Sequence, residues 1–216
     1  MYFISLGTNC CVAYNIKKYI NYNTPTQFFD WSRTNFKCVL YILNLRTIDT
    51  IFNIKNFIID KETYKDDNNL LITLNNFVKE DICLLYHHDI YLSDYSDLKQ
   101  NEILTEFINK YKRRHERLID LIKTSHKLCF IHHIRDVTSF DYDDCKLFNK
   151  ILTSINKNID YVLVLLDDDV GYKYIHTEFF LKINLKYFTN KDIELDWTFQ
   201  NIDWEGLFKY IKVLAN

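Results

Sequence analysis

The sequence predicts an α/β fold: a mostly parallel central sheet flanked by helices. Short apolar runs alternate along the chain with longer amphipathic stretches, which is the order typical of β-α units. The run from Tyr161 to Leu166 is apolar without interruption, as in a strand that is covered on both faces. With 216 residues, of which 48% are hydrophobic, we expect one domain over residues 1–216 with a sizeable core.

Four strands and five helices account for most of this pattern. The predicted strands are residues 2–6, 82–86, 128–132 and 161–166. The predicted helices, where apolar residues recur at helical spacing, are residues 11–22, 35–46, 98–123, 143–156 and 203–214. Asp203 has the residue type expected of a helix N-cap. Residues from about 47 to 80 alternate apolar and polar types around Asp66-Asp67-Asn68-Asn69, which predicts a hairpin or a small irregular lobe.

Charge and cysteine usage exclude several classes of protein. The net charge of −2 gives no electrostatic footprint for nucleic acid, so we expect no nucleic-acid partner. The chain start lacks the basic region of a signal peptide and no apolar run reaches about 18 residues, so we expect a cytoplasmic protein without a membrane segment. The six cysteines form no C-x-x-C pair, which favours reduced thiols over disulfides or a structural zinc site.

The turn between the first strand and the first helix contains a candidate nucleophile, Cys10. Gly7 is one of only three glycines in the chain, and it stands where a tight strand-to-helix turn needs conformational freedom. A thiol in the first turn of a helix lies beside unpaired N–H groups and the positive end of the helix dipole, which favours the thiolate. The alternative is an ordinary buried cysteine at a turn.

Polar side chains follow each of the predicted strands. The carboxyl ends of parallel strands share one edge of a sheet, so these residues are expected to meet. They are Asn9 and Cys10, then His87, His88 and Asp89, then His132, His133 and Arg135, and finally Asp167, Asp168 and Asp169. Cysteine catalysis needs a base and an acceptor that orients the base, and this set contains both. Successive strand residues point to opposite faces, so only one histidine of each pair faces the site.

Two other chemistries remain open at this edge. His88, His133 and a carboxylate have the right residue types for a divalent metal, but the short ligand spacings of a helical metal site are missing, so we expect neither metal nor cofactor. The run Asp167-Asp168-Asp169 satisfies the D-x-D pattern with which nucleotide-sugar glycosyltransferases hold a divalent cation. A solvated turn explains the same run. A non-catalytic, viral interaction module is the third alternative.

The stretch from Lys110 to Arg117 is the one basic concentration in the chain. On a helix Arg113 and Arg117 share a face, so part of the stretch is able to contact an anionic group. It is too short and too isolated for a nucleic-acid surface. Structural ion pairing is the simpler explanation.

Four motifs, in order, resemble those of a family of papain-like cysteine peptidases of unknown function, found in bacteria and large DNA viruses. They are Ile4-Ser5-Leu6-Gly7-Thr8-Asn9-Cys10, Phe29-Asp30-Trp31, His88-Asp89, and the R-R-x-x-R segment Arg113 to Arg117. The match covers roughly the first 120 residues. The chain departs from the family in having Phe28 where proline commonly precedes F-D-W, and it lacks the C-G-[SA]-C-[WY] sequence of papain itself.

The resemblance implies specific roles. Cys10 is the expected nucleophile and His88 its partner, with Asp30 or Asp89 as the carboxylate that orients the histidine. Asn9 is the expected side-chain donor to an oxyanion hole. The expected substrate-binding residues are Arg113, Arg114, His133 and Arg135. The sequence therefore predicts a cysteine-dependent hydrolase, either a peptidase or amidase, or an acyl transferase, that acts on a peptide or a small amide or ester.

Overall fold

The computed structural model describes residues 1–8, 10–20, 23–60, 71–74, 84–86, 89–91, 99–125, 127–134, 141–168, 171–189 and 199–215. The strands are β1 (Tyr2–Ser5), β2 (Ser32–Thr34), β3 (Phe57–Asp60), β4 (Leu71–Leu74), β5 (Leu84–Tyr86), β6 (Leu128–His133), β7 (Tyr161–Asp167), β8 (Tyr174–His176) and β9 (Leu181–Asn184). The helices are α1 (Cys10–Tyr19), α2 (Phe36–Leu43), α3 (Gln100–Thr124), α4 (Tyr142–Ile155) and α5 (Trp204–Leu214). None of these helices is both long and apolar enough to cross a membrane.

The main sheet has the strand order β1-β6-β7-β9-β8. Its first four strands are parallel, and β8 pairs antiparallel with β9 at the edge. All six residues of β6 are buried, as are the last five of β7, which is the pattern of central strands covered on both faces. The predicted α/β fold with a mostly parallel sheet is confirmed.

A second sheet, antiparallel throughout, has the order β2-β5-β4-β3. The prediction that the strand at 82–86 joins the parallel sheet is wrong, because β5 pairs with β2 and β4 instead. Leu84 and Tyr86 are buried while Leu85 is half-buried, an alternation that suits an antiparallel sheet with one packed face. The antiparallel pairing of β3 with β4 agrees with the hairpin alternative, although Asp66 to Asn69 lie outside the described residues.

Helices cover both faces of the main sheet. Residues of α2, α3 and α4 form one core with Ile4, Phe130 and Leu165. Residues of α1 and α5 form the other with Phe3 and Ile131. The alternation of side chains along β1 and β6 therefore separates two cores. Asp203 caps α5 as predicted, since its side chain accepts a hydrogen bond from the Gly206 N–H.

The second sheet meets the main sheet at the turn after β1. Gly7 has a φ of +82°, and a Cβ atom placed on it would lie 2.2 Å from the Thr34 Cγ2 of β2. Only glycine combines this backbone conformation with so close an approach. Gly7 therefore has the unusual backbone conformation that the sequence predicts. A second requirement for glycine, the close approach of β2, is not visible in the local sequence.

Candidate functional site

The turn that leads to Cys10 is strained. Thr8, like Gly7, has a positive φ, of 81°, and a β-branched residue rarely adopts that conformation. Such residues cost of order 1–3 kcal/mol and persist where their surroundings hold them. The Thr8 Oγ1 lies 3.1 Å from the Nδ1 and 3.2 Å from the Nε2 of His132, so one hydrogen bond to this ring holds the turn. Asn9, the predicted oxyanion donor, lies outside the described residues.

Cys10 is the first residue of α1 and is buried, with 8% of its surface exposed. Burial, and then the negative charges of Asp89 and Asp30, raise the pKa of its thiol to about 12. The expectation that the helix start stabilises a thiolate is therefore wrong for this site, because desolvation and two carboxylates outweigh the helix dipole. At neutral pH the Cys10 thiol holds its proton.

Asp30 belongs to a buried turn that follows α1. Its Oδ2 accepts a hydrogen bond of 2.7 Å from the Gln27 N–H and lies 3.8 Å from the Lys17 Nζ. Burial raises the pKa of Asp30, while this hydrogen bond and the charges of Lys17 and Arg114 lower it. Lys17 follows Cys10 by seven residues, which places both on one face of α1. That spacing is the one sequence signal that links Lys17 to the site, although Lys17 is not among the site residues predicted from the sequence.

The residues around Asp30 anchor the F-D-W segment. Phe28 and Phe29 are fully buried, and the Phe28 ring packs edge-on against Tyr111 of α3, with ring centroids 5.6 Å apart. Trp31 lies under the Lys17 ammonium, 5.3 Å from the ring centroid. Phe28 thus joins the core and ties the segment to α3.

Asp89, the second carboxylate that acts on Cys10, contacts three side chains of α3. Its Oδ1 lies 2.5 Å from the Lys110 Nζ and 3.8 Å from the Arg114 Nη1, and its Oδ2 accepts a hydrogen bond from the Tyr111 hydroxyl. Only 5% of the Asp89 side chain is exposed. Lys112 pairs instead with Asp49. Much of the basic stretch on α3 therefore forms ion pairs, in agreement with the structural role expected from the sequence.

Arg114 supplies positive charge to both carboxylates. Its guanidinium stacks on the Tyr111 ring, with Cζ 4.7 Å from the ring centroid, and its charge lowers the pKa of Asp30. Its Nη1 is buried and has no hydrogen-bond partner among the described residues. Of the predicted substrate-binding residues, Arg114 is thus inside the site and Arg113 is on the exposed side of α3.

His132 and His133 point to opposite faces of the main sheet, as strand alternation predicts. The His132 ring packs against Phe36 of α2, with centroids 5.2 Å apart, and the His133 ring packs edge-on against Phe199 on the other face. Burial and the nearby His133 lower the pKa of His132 to about 3, against a hydrogen bond with the Leu6 backbone that raises it. His132 is therefore neutral and supports the Thr8 turn.

Several predicted site residues stay predictions. His87, His88, Arg135 and Asp169 lie outside the described residues, and the pairing of a histidine base with Cys10 stays a prediction. His133 is buried, and its role in substrate binding is likewise untested.

The strand end that suggested a glycosyltransferase has a different arrangement. The Asp167 Oδ2 accepts a hydrogen bond from the Tyr172 hydroxyl and lies 2.5 Å from the Lys182 Nζ. The Lys182 ammonium therefore compensates the charge of Asp167, while Asp169 lies outside the described residues. Across the part of the chain that the structure describes, no three His, Cys, Asp or Glu side chains are arranged to hold a metal ion.

Comparison with known protein families gives a match that covers most of the chain. Residues 1–169 match the model of the family described as "Putative papain-like cysteine peptidase (DUF1796)". No curated protein and no solved structure matches the chain. The matched segment includes the Cys10 turn, Asp30, Asp89, all of α3 and the central strands β6 and β7. The chain thus belongs to this family, DUF1796, whose description names a putative papain-like cysteine peptidase.

Proposed function

We propose that the chain is a cysteine-dependent hydrolase of amide or ester bonds, with Cys10 as the nucleophile. The observation that supports this most directly is the convergence of Cys10 with two carboxylates from distant motifs, since the charges of both Asp30 and Asp89 act on the thiol. Lys17, Lys110 and Arg114 compensate the two carboxylates. Titratable groups with shifted pKa values and specific charge partners are typical of functional sites.

The protonated thiol requires a base. In the proposed mechanism His88 takes the Cys10 proton as the sulfur attacks the carbonyl carbon and the S–C bond forms. The same imidazolium gives its proton to the leaving amine or alcohol as the scissile bond breaks. Water, deprotonated by His88, then attacks the thioester, and the S–C bond breaks with return of the proton to sulfur. The N–H groups at the start of α1, and Asn9, stabilise the oxyanion.

Asp30 is the better candidate for the carboxylate that orients the histidine. Both oxygens of Asp89 already accept hydrogen bonds, from Lys110 and Tyr111. Within the described residues Asp30 accepts one hydrogen bond, on Oδ2, which leaves Oδ1 for an imidazole N–H. We therefore assign Asp30 to orientation, and Asp89 to the attachment of α3 and the arrangement of charge around Cys10.

Acylation by p-nitrophenyl acetate tests the nucleophile. We expect a burst of p-nitrophenolate, and one acetyl group on the peptide that contains Cys10 when the quenched protein is examined by mass spectrometry. Cys10→Ala should abolish the burst and lower turnover by about 10³-fold or more, the scale of loss on removing a nucleophile. His88→Gln should slow acylation by about 10²-fold, the effect of losing a general base.

Cys11→Ala is the matched control, because Cys11 is the next residue of α1 and is packed in the core that contains Ile131. It should keep the burst. Turnover that survives Cys10→Ala, or an acetyl group that attaches equally to other cysteines, would contradict the proposal.

A further inference from the structure

A pocket of about 450 Å³ adjoins the candidate site along α3. Asp89 and Lys110 form its boundary with the site, and Glu106, Phe107 and Arg113 of α3 line it together with Ile90 and Ile103. The volume is in the range of small-molecule and peptide subsites. Its walls combine apolar surface with charges of both signs.

The charges of the pocket are of two kinds. Asp89 and Lys110 neutralise each other, with 2.5 Å between Oδ1 and Nζ. Glu106 and Arg113 are exposed and form no ion pair or hydrogen bond with any described residue. Among the residues that the structure describes, the pocket therefore offers one uncompensated carboxylate and one uncompensated guanidinium. A purely anionic ligand is repelled by the first and a purely cationic ligand by the second.

The spacing of these two groups sets the size of the ligand. Glu106 and Arg113 are seven residues apart, which places them on one face of α3 and about 10 Å apart along its axis. Ile103 and Phe107, from the same helix, line the pocket beside them. An extended chain of three residues spans about 10 Å. A tripeptide with free ends thus matches both charges, with its middle side chain against apolar surface.

We propose that this pocket binds a short zwitterionic peptide, with the ammonium group at Glu106 and the carboxylate at Arg113. Asp89 borders both this pocket and the Cys10 site. The further inference that the bound peptide is a substrate or product rests on the function proposed for Cys10. The binding itself is independent of that function. Arg113 is well suited to the carboxylate, since guanidinium and carboxylate form paired hydrogen bonds.

Calorimetric titration of the full chain with Ala-Leu-Ala tests this inference, with the Cys10→Ala variant used to prevent turnover. We expect saturable 1:1 binding, weakened about tenfold or more by N-acetylation or by C-terminal amidation, as for the loss of one charge-assisted contact. Glu106→Gln should remove the sensitivity to N-acetylation alone. Arg113→Gln should remove the sensitivity to amidation alone.

Two variants of α3 outside the pocket serve as charge-matched controls. Lys112→Gln removes a cation that pairs with Asp49, and Glu116→Gln removes an exposed carboxylate. Both should bind as the parent does. Equal affinity for free and blocked peptides, or no saturable binding, overturns the inference. If the peptide binds as expected but Cys10→Ala does not affect hydrolysis, the proposed function fails and the pocket stands.

Discussion

Two buried aspartates of this protein have matching partners and different surroundings. Asp89 and Asp167 each lie 2.5 Å from a lysine Nζ and each accept a hydrogen bond from a tyrosine hydroxyl. We call the first place the Cys10 corner, comprising Gly7, Thr8, Cys10, Asp30, Asp89, Lys110, Tyr111 and Arg114. The second is the Asp167 corner, comprising Asp167, Gly171, Tyr172 and Lys182.

The difference between the two corners is what surrounds the shared Asp-Lys-Tyr arrangement. At the Cys10 corner a second carboxylate and a buried guanidinium accompany a thiol, and a pocket adjoins Asp89. At the Asp167 corner the described contacts of the carboxylate are to Tyr172 and Lys182. A carboxylate at a strand end is therefore weak evidence for chemistry, and a nucleophile beside it is the distinguishing feature.

The largest expected difference between the corners concerns their glycines. Both Gly7 and Gly171 have a positive φ, but a Cβ atom on Gly7 would lie 2.2 Å from Thr34, whereas one on Gly171 has open space. We expect Gly7→Ala to lower the free energy of unfolding by about 3–4 kcal/mol, through backbone strain plus overpacking. Gly171→Ala should cost less, about 1–2 kcal/mol, through strain alone. Urea unfolding of both variants measures the difference, and equal losses would refute the contact between the two sheets.

Replacement of the two aspartates should have nearly equal effects on stability, because the further ion pair of Asp89 with Arg114 is long, at 3.8 Å. Asp89→Asn and Asp167→Asn each weaken a charge-assisted hydrogen bond and leave a lysine that is partly exposed, with 31% of the Lys110 and 23% of the Lys182 side chain accessible. We expect each to cost about 2 kcal/mol, less than a fully buried pair. Chemical denaturation at pH 7 tests the equality. A loss confined to one variant would show that the matching partners are not equivalent.

The same two variants should differ in their effect on the thiol. Because the Asp89 charge raises the pKa of Cys10, Asp89→Asn should increase the alkylation of Cys10 by iodoacetamide at pH 8 by a few-fold to about tenfold. Asp167→Asn should leave the rate unchanged. Mass spectrometry of the peptide that contains Cys10 gives the rate. Equal rates in the two variants would mean that Asp89 exerts no field on the thiol.

The smallest expected effect concerns the histidine that supports the Cys10 turn. Burial lowers the pKa of His132 to about 3, from an ordinary value of about 6.5. Between these two pH values the unfolded chain therefore binds a proton at this residue and the folded chain does not. The contribution of His132 to the free energy of unfolding is therefore fully present above about pH 6.5, and it is lost as the pH falls toward 3. Between pH 7 and pH 5.5 this loss is about 1 kcal/mol.

His132→Gln should flatten that pH dependence, as measured by denaturant titrations at several pH values. His115, whose pKa burial also lowers, remains in the variant and contributes in the same direction. Asp30, whose pKa is raised, acts in the opposite direction at lower pH. His176→Gln, at an exposed position of β8, is the matched control and should retain the full slope. An unchanged slope in His132→Gln would show that this ring is accessible to protons.

Much of the fold was predictable because its signals are local. The continuous apolar run of β7 and the apolar residues of β6 identify central strands without knowledge of their neighbours. The sequence pattern predicts the wrong sheet for β5. A run of three to five apolar residues is compatible with either sheet, and the partners of β5, which are β2 and β4, are not among the strands that the pattern predicts. β2, β8 and β9 were missed, being only three or four residues long, and β8 is exposed.

The candidate site likewise has some features that local sequence predicts and others that depend on tertiary packing. The position of Cys10 after a strand and a glycine turn, and the opposite directions of His132 and His133, follow from chain order and strand geometry. The meeting of Cys10 with Asp30 and Asp89 was expected from motif resemblance, but the contacts of Lys17, Tyr111 and Arg114 come from helices packed across the turn.

The sequence by itself determined the class of fold, the cysteine at the first turn of α1 and the charged face of α3. Only the tertiary structure decided the protonation state of that cysteine. A helix dipole is a local property that chain order reveals, and it favours the thiolate. Desolvation depends on packing, and so does the proximity of Asp30 and Asp89, which follow Cys10 by 20 and 79 residues. Together these effects raise the pKa of Cys10, the opposite of what the helix dipole favours.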